Sequence, residues 1–192
     1  MSDEPPSPGR SPALDVAIQT QGGPWHDRLP DAEPLVRSAA LAAWAGLPAA
    51  VRPDAPAELS VVLSDDAAVR VLNRDFRGRD KPTNVLSFAN LDDAVAPHAP
   101  DEPVLLGDVV LALETVLREA SEQGKAPGDH LSHLTVHGVL HLLGYDHGAD
   151  AEAETMEALE RRVLAGLGIA DPYAAETLSD GSAAPIAAGG AA

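Results

Sequence analysis

The eleven residues from His137 to His147, HGVLHLLGYDH, constrain this chain more than any other segment. His137 and His141 are four apart, so on a helix their side chains leave one face, a turn apart. Gly144 then ends the helix and lets the chain reverse, which brings His147 back towards the first two. A helix that simply continued would carry His147 away. Val139, Leu140, Leu142 and Leu143 mark this helix as largely buried. Buried imidazoles need partners, and three that converge point to a metal ion. The chain has no cysteine, so disulfides and thiolate ligands are excluded, and a metal must sit on His, Asp or Glu. Three neutral imidazoles with an open fourth position describe a catalytic zinc, which lowers the pKa of bound water to about 7 and polarises a substrate oxygen. The chemistry implied is that of a metal-dependent hydrolase with one zinc on His137, His141 and His147.

The spacing is that of the metzincin metalloproteases: His, His four later, Gly three further, His three beyond that. Those enzymes carry Glu directly after the first His as general base. Here that residue is Gly138, which cannot take a proton from water, so peptide hydrolysis by the usual route is disfavoured.

At 192 residues the chain fits one domain with tails better than two. Residues 1–12, rich in Pro, Ser and charge, read as a disordered tail. Residues 174–192 dissolve into Ala, Gly and Ser and read as a second tail, leaving 13–173 as the domain. Within it, strands are expected at 14–19, 58–63, 85–89 and 104–112. Helices are expected at 32–46, from a Ser64 cap to about Asp75, at 114–123, from an Asp129 cap to about Leu143, and at 151–167. Residues 91–103 read as a flexible acidic loop. The order is mixed α/β, and the connections between strands are not uniformly helical, so a purely parallel sheet is not expected.

The formal net charge of −17 repels nucleic acid on average. Yet five of the 13 Lys and Arg residues fall between Arg70 and Lys81, with Arg74, Arg77 and Arg79 between them. This run reads either as a solvated helix face with a basic loop or as a local anion-binding patch, and composition does not choose. No stretch has the length and apolarity of a membrane span. The N-terminus lacks the basic start and apolar run of a secretory signal, and the absence of cysteine suits a reducing cytoplasm.

The histidine motif, together with RGRDKPTNVLSFA from Arg77 to Ala89 and LLGDVV from Leu105 to Val110, resembles the YbeY family of bacterial endoribonucleases. The resemblance runs from about Leu14 to Tyr173. It implies a zincin-like α/β (α+β) fold, a small mixed sheet with helices packed on it and the metal helix among them. It implies zinc on His137, His141 and His147. The implied activity is single-strand-specific RNA cleavage in maturation of the small-subunit ribosomal RNA 3′ end and in ribosome quality control. The implied partners are ribosomal RNA and the small ribosomal subunit, with neither DNA nor a membrane. The family's essential arginine maps onto Arg77, here preceded by Phe76. Chemistry supports that assignment: a phosphodiester transition state gathers charge on its non-bridging oxygens, and a guanidinium beside a zinc neutralises it bidentately. Without the resemblance, Arg77 reads as a surface arginine after a helix.

Other residues leave two readings open. Asp146 can orient a ligand imidazole or serve as a turn residue. His133 can line the cleft or face solvent. Thr83, Asn84 and Ser87 can bind phosphate or shape a loop, and Asp108 needs a partner if its side chain is inside. His26 and His98 read as exposed. Two alternatives to the nuclease remain: a metalloprotease, and a ribosome-assembly factor whose metal only stabilises the fold, for which a closed four-ligand site would speak.

Overall fold

The computed structural model describes residues 13–53, 55–90 and 102–174. Residues 1–12 and 175–192, expected as tails, and most of the expected acidic loop lie outside the described residues. In chain order the elements are β1 (Leu14–Thr20), α1 (Trp25–Arg28), α2 (Ala32–Gly46), β2 (Ala57–Ser64) and α3 (Asp66–Arg77), then β3 (Val85–Ala89), β4 (Val104–Ala112), α4 (Leu113–Glu122), α5 (Pro127–Leu142) and α6 (Asp150–Gly166). The strands form one sheet in the order β1-β2-β4-β3. β1, β2 and β4 are parallel, and β3 is an antiparallel edge strand beside β4. The sheet is therefore mixed, as the irregular connections implied.

Alternation along the strands assigns the two faces. Leu59, Val61 and Leu63 of β2 and Val109 and Leu111 of β4 join the main core with α2, α4, α5 and α6. Leu86, Val110 and Ala112 point to the other face, where α3 covers them through Val69. α5 packs on β3, β4, α2, α4 and α6. No helix among the described residues is long and apolar enough to cross a membrane.

Two helix starts differ from the sequence expectation, each for a local reason. Ser64 is the buried last residue of β2, and its carbonyl accepts the indole N–H of Trp25 at 2.8 Å. The cap is Asp65, whose carboxylate accepts the Ala68 N–H at 2.8 Å. α5 begins at Pro127, because proline presets φ in a first helical turn. Asp129 then lies inside that turn, where its charge meets the helix dipole, and caps nothing. The short α1 was not expected; it docks Trp25, 2% exposed, under the end of β2.

β3 is held close by Gly107, which adopts φ +126°. A Cβ there would stand 2.0 Å from the Phe88 carbonyl oxygen. Gly107→Ala is expected to cost about 2–6 kcal/mol, combining strained φ with steric displacement. Gly124→Ala, with φ +63° and open space around it, should cost only about 1–2 kcal/mol. Urea unfolding of both variants measures this, and equal losses would sink the close-approach explanation.

Candidate metal centre

α5 carries His130, His133, His137 and His141 at helical spacing along one stripe, and its other faces are buried. After Leu142 the helix closes with Gly144 N–H donating to the His141 carbonyl and Tyr145 N–H to the Leu140 carbonyl, both at 3.1 Å. Gly144 takes φ +85°, a conformation that glycine adopts without a Cβ penalty. The reversal returns His147 to the stripe. Its ring centroid lies 5.6 Å from that of His137 and 5.0 Å from that of His141. One ring nitrogen from each of the three falls within 4.8 Å of the others, and among the described residues no further His, Asp or Glu joins the group. A tetrahedral zinc with nitrogen bonds of 2.0–2.1 Å needs its ligands roughly 3.3 Å apart. The His137 and His141 Nε2 atoms already face each other at 3.0 Å.

The helix reaches the sheet this closely because of Gly138. A Cβ there would lie 2.8 Å from Val109 Cγ1 and 3.2 Å from Ser87 Oγ, and the Ser87 hydroxyl donates to the Gly138 carbonyl at 3.1 Å. The position that holds the general base in metzincins has no room for a side chain here.

Two carboxylates hold the histidine stripe. Glu160 of α6 is fully buried and lies 2.7 Å from His137 Nδ1. With Nδ1–H donating to that carboxylate, Nε2 keeps its lone pair towards His141, the arrangement a ligand imidazole requires. Glu160 also meets His133 Nε2 at 3.4 Å and accepts the Tyr173 hydroxyl. Burial pushes its carboxyl up, but these three hydrogen bonds outweigh burial and hold it at about 2, against an ordinary 4.5. The Tyr173 phenol is raised, by burial and then by the same carboxylate. Further along, Glu119 pairs with His130 and Asn84, each at 2.9 Å. Burial, and then the charges of His137 and His147, lower the His141 pKa, which favours the neutral, metal-binding imidazole.

The cluster sits between two openings. On one side Arg77 joins Ser87, His141 and His147 around a cavity of about 420 Å³. On the other, His133, His137, Asn84 and Tyr173 line a cleft of about 660 Å³. Arg77 ends α3 rather than following it, and Gly78 at φ +66° turns the chain there. Asn73 fixes that turn by donating to the Lys81 carbonyl at 2.7 Å. Arg70 is gripped by both oxygens of Asp80 at 2.8 and 2.9 Å, and Arg74 by Asp75 at 2.8 Å. Among the described residues, Arg77, Arg79 and Lys81 have no carboxylate partner.

Asp146 accepts the His147 backbone N–H at 2.8 Å, a turn contact. Asn84 and Ser87 carry structural hydrogen bonds, Asp108 is half-buried on the outer sheet face, His26 is exposed, and His98 lies outside the described residues. Sequence reasoning missed Glu160, Tyr173, Glu119 and the bonding of His130. For Glu160 a signal existed: it falls with Met156, Leu159, Val163 and Leu164 on the apolar face of α6.

The family model described as "Endoribonuclease YbeY" matches residues 36–168, a span that includes Arg77, Glu160 and the three clustered histidines. A protein named Endoribonuclease YbeY from Paramagnetospirillum magneticum is 58% identical over 160 residues, covering 83% of this chain and 96% of that one. Another of that name from Rhodospirillum rubrum is 56% identical over 162 residues, covering 83% of this chain and 81% of its own. A solution structure from Thermotoga maritima aligns with 90% of this chain and all of that one at a TM-score of 0.47 and 19% identity.

Glu160→Gln should weaken metal binding about 10–100-fold, as loss of a carboxylate behind a ligand imidazole does. The carboxyl pKa is lower folded than unfolded, so its contribution to stability is complete above pH 4.5 and is lost as pH falls towards 2. In metal-free protein the same substitution should therefore flatten the loss of stability across that window. Metal titration and acid-unfolding curves test both; a variant unchanged in each would make the carboxylate a bystander.

Proposed function

The chain belongs to the YbeY family of endoribonucleases, and from that premise we propose that it is a zinc-dependent, single-strand-specific endoribonuclease of ribosomal RNA. Its proposed place is maturation of the small-subunit RNA 3′ end and ribosome quality control, in the cytoplasm, with the small ribosomal subunit as partner. The observation that carries the reading is the convergence of three imidazoles beside an unpaired arginine, in a chain 58% identical to a protein bearing the endoribonuclease name.

His137, His141 and His147 would hold the metal. Their chemistry fits zinc: three nitrogen donors and, among the described residues, no fourth protein ligand, which is the donor set of a catalytic site rather than a closed structural one. When bound, zinc supplies Lewis acidity and an activated water near neutral pH. The chain's own groups do the rest. Glu160 fixes the His137 tautomer and keeps Nε2 turned inward. Arg77, at the rim of the cavity shared with His141 and His147, neutralises charge gathering on the non-bridging phosphate oxygens. The Asn73 contact and the Gly78 turn hold Arg77 at that rim.

The protease reading loses ground at Gly138, where a glutamate would collide with Val109 and Ser87. The assembly-factor reading, with a metal that only stabilises the fold, calls for closed coordination, and the described residues supply three ligands.

The deciding experiment incubates purified, metal-loaded protein with ribosomal RNA beside a His137→Ala control. Cleavage by the first and not the second is expected; zinc-dependent proteolysis without RNA cleavage would reverse the ranking. Arg77→Ala should keep fold and metal but lose about 10²–10³ in single-turnover rate at saturating enzyme. Arg77→Lys should rescue poorly, because an ammonium lacks the guanidinium fork. An Arg77→Ala protein cleaving at the wild-type rate would falsify the catalytic role.

A further inference from the structure

The chain has six Phe, Trp and Tyr residues, and five of them are buried or half-buried. The exception is Phe76, 69% exposed in the last turn of α3. One exposed apolar side chain is ordinary on a protein surface and carries no argument alone. Its surroundings set this one apart. Phe76 meets Phe88 of β3 edge to face, with centroids 5.1 Å apart, so the ring is braced from one side while most of it stays open. Arg77 follows it directly and lines the cavity of His141 and His147. Ser87 and Ala89 of the edge strand β3 line that cavity too, while Phe88 between them turns to the α3 face, so Phe76 lies across the sheet edge from the histidines and Arg77 links the two sides. Arg79 and Lys81 come next, on a turn that the Asn73 side chain pins to α3. These are the cations that the local aspartates leave unpaired, in a chain whose formal net charge is −17.

A braced, exposed aromatic followed in the chain by unpaired cations matches the arrangement by which proteins hold single-stranded nucleic acid: cations follow the phosphates, and a ring takes a base on its face. We propose that Phe76 is a base-stacking platform, which receives the base of a nucleotide next to the phosphate held at the histidines and so aligns the strand across the metal centre. The inference rests on the nuclease reading and adds to it a subsite for a nucleobase. It also accounts for a preference for single strands, because a base stacked within a duplex presents no free face to the ring.

The test is single-turnover cleavage of a single-stranded RNA by the full-length, metal-loaded protein, separating the half-saturating enzyme concentration from the limiting rate. Phe76→Ala should raise the half-saturating concentration about 5–100-fold, the range expected for loss of one aromatic–base stack. Most of the loss should appear there rather than in the limiting rate. Phe76→Tyr and Phe76→Trp should restore binding, while Phe76→Leu, which keeps an apolar group over Phe88, should not. As a competitor of cleavage, an abasic ribose-phosphate oligomer of the same length should inhibit wild type and Phe76→Ala equally. Equal half-saturating concentrations for wild type and Phe76→Ala would overturn the stacking role, as would full rescue by Leu or an equal weakening towards the abasic competitor. A wild-type protein that neither binds nor cuts RNA would overturn the nuclease reading and this one together.

Discussion

The packing of α5 against the sheet at Gly138 is the contact on which the rest of the molecule depends. The helix is enclosed by β3 and β4 on one side and by α2, α4 and α6 on the others. Its approach to β4 is set by the absence of a side chain: Val109 and Ser87 stand where a Cβ would go. A larger residue would have to displace Val109 or shift the helix that carries His137 and His141. One small residue thus sets both the depth of the core and the position of the reactive groups. It also leaves no side chain at the position after the first histidine, where metzincins carry their general base.

An enclosed helix with four imidazoles on one stripe creates a second demand, because each ring brings two nitrogens into a medium poor in water. Glu119 and Glu160 meet part of that demand from opposite ends, at His130 Nε2, His133 Nε2 and His137 Nδ1, while the buried Nδ1 atoms of His130 and His133 have no hydrogen-bond partner among the described residues. Glu160 is the more telling of the two, since a fully buried carboxylate is costly unless its hydrogen bonds are complete. It gathers His133, His137 and Tyr173, and through Tyr173 it draws the segment that follows α6 onto the histidine stripe. Lys125 reinforces the closure by donating to the Pro172 carbonyl at 2.9 Å.

Much of this was legible in the sequence. β3 and β4 fall at the expected residues, and α2 spans its expected range, because alternation and helical periodicity are local properties. The turn at Gly144 was legible because glycine beyond a buried helix has a specific backbone use. Ser64 and Asp129 misled for the opposite reason: each is a good cap in isolation, but Trp25 claims the Ser64 carbonyl and Pro127 starts α5 early. The partners of the histidines were out of reach because they are distant in sequence; Glu160 lies 23 residues beyond His137. Even so, a glutamate on the apolar face of an amphipathic helix is itself a sign that something buried awaits it. The pairing of Arg70 and Arg74 with aspartates was equally hidden, since the bridge from Arg70 to Asp80 closes across a turn.

That pairing changes how the charge of the chain is understood. Five clustered cations on a body of net charge −17 look like a strip for any polyanion. With Asp75 and Asp80 neutralising two of them, three remain, and all three follow Phe76 within a few residues. At physiological ionic strength, charge is screened over about 8 Å. The acidic body therefore repels RNA over a distance that salt shortens, while the cations beside the cavity act at contact. Raising salt relieves the repulsion and weakens the contacts together, so the two effects oppose each other. A nuclease built this way does not hold RNA along its whole surface. With Arg77 in its proposed role, it favours a strand that can reach the short basic turn, present a phosphate to that guanidinium and, on the stacking proposal, lay a base on the ring beside it.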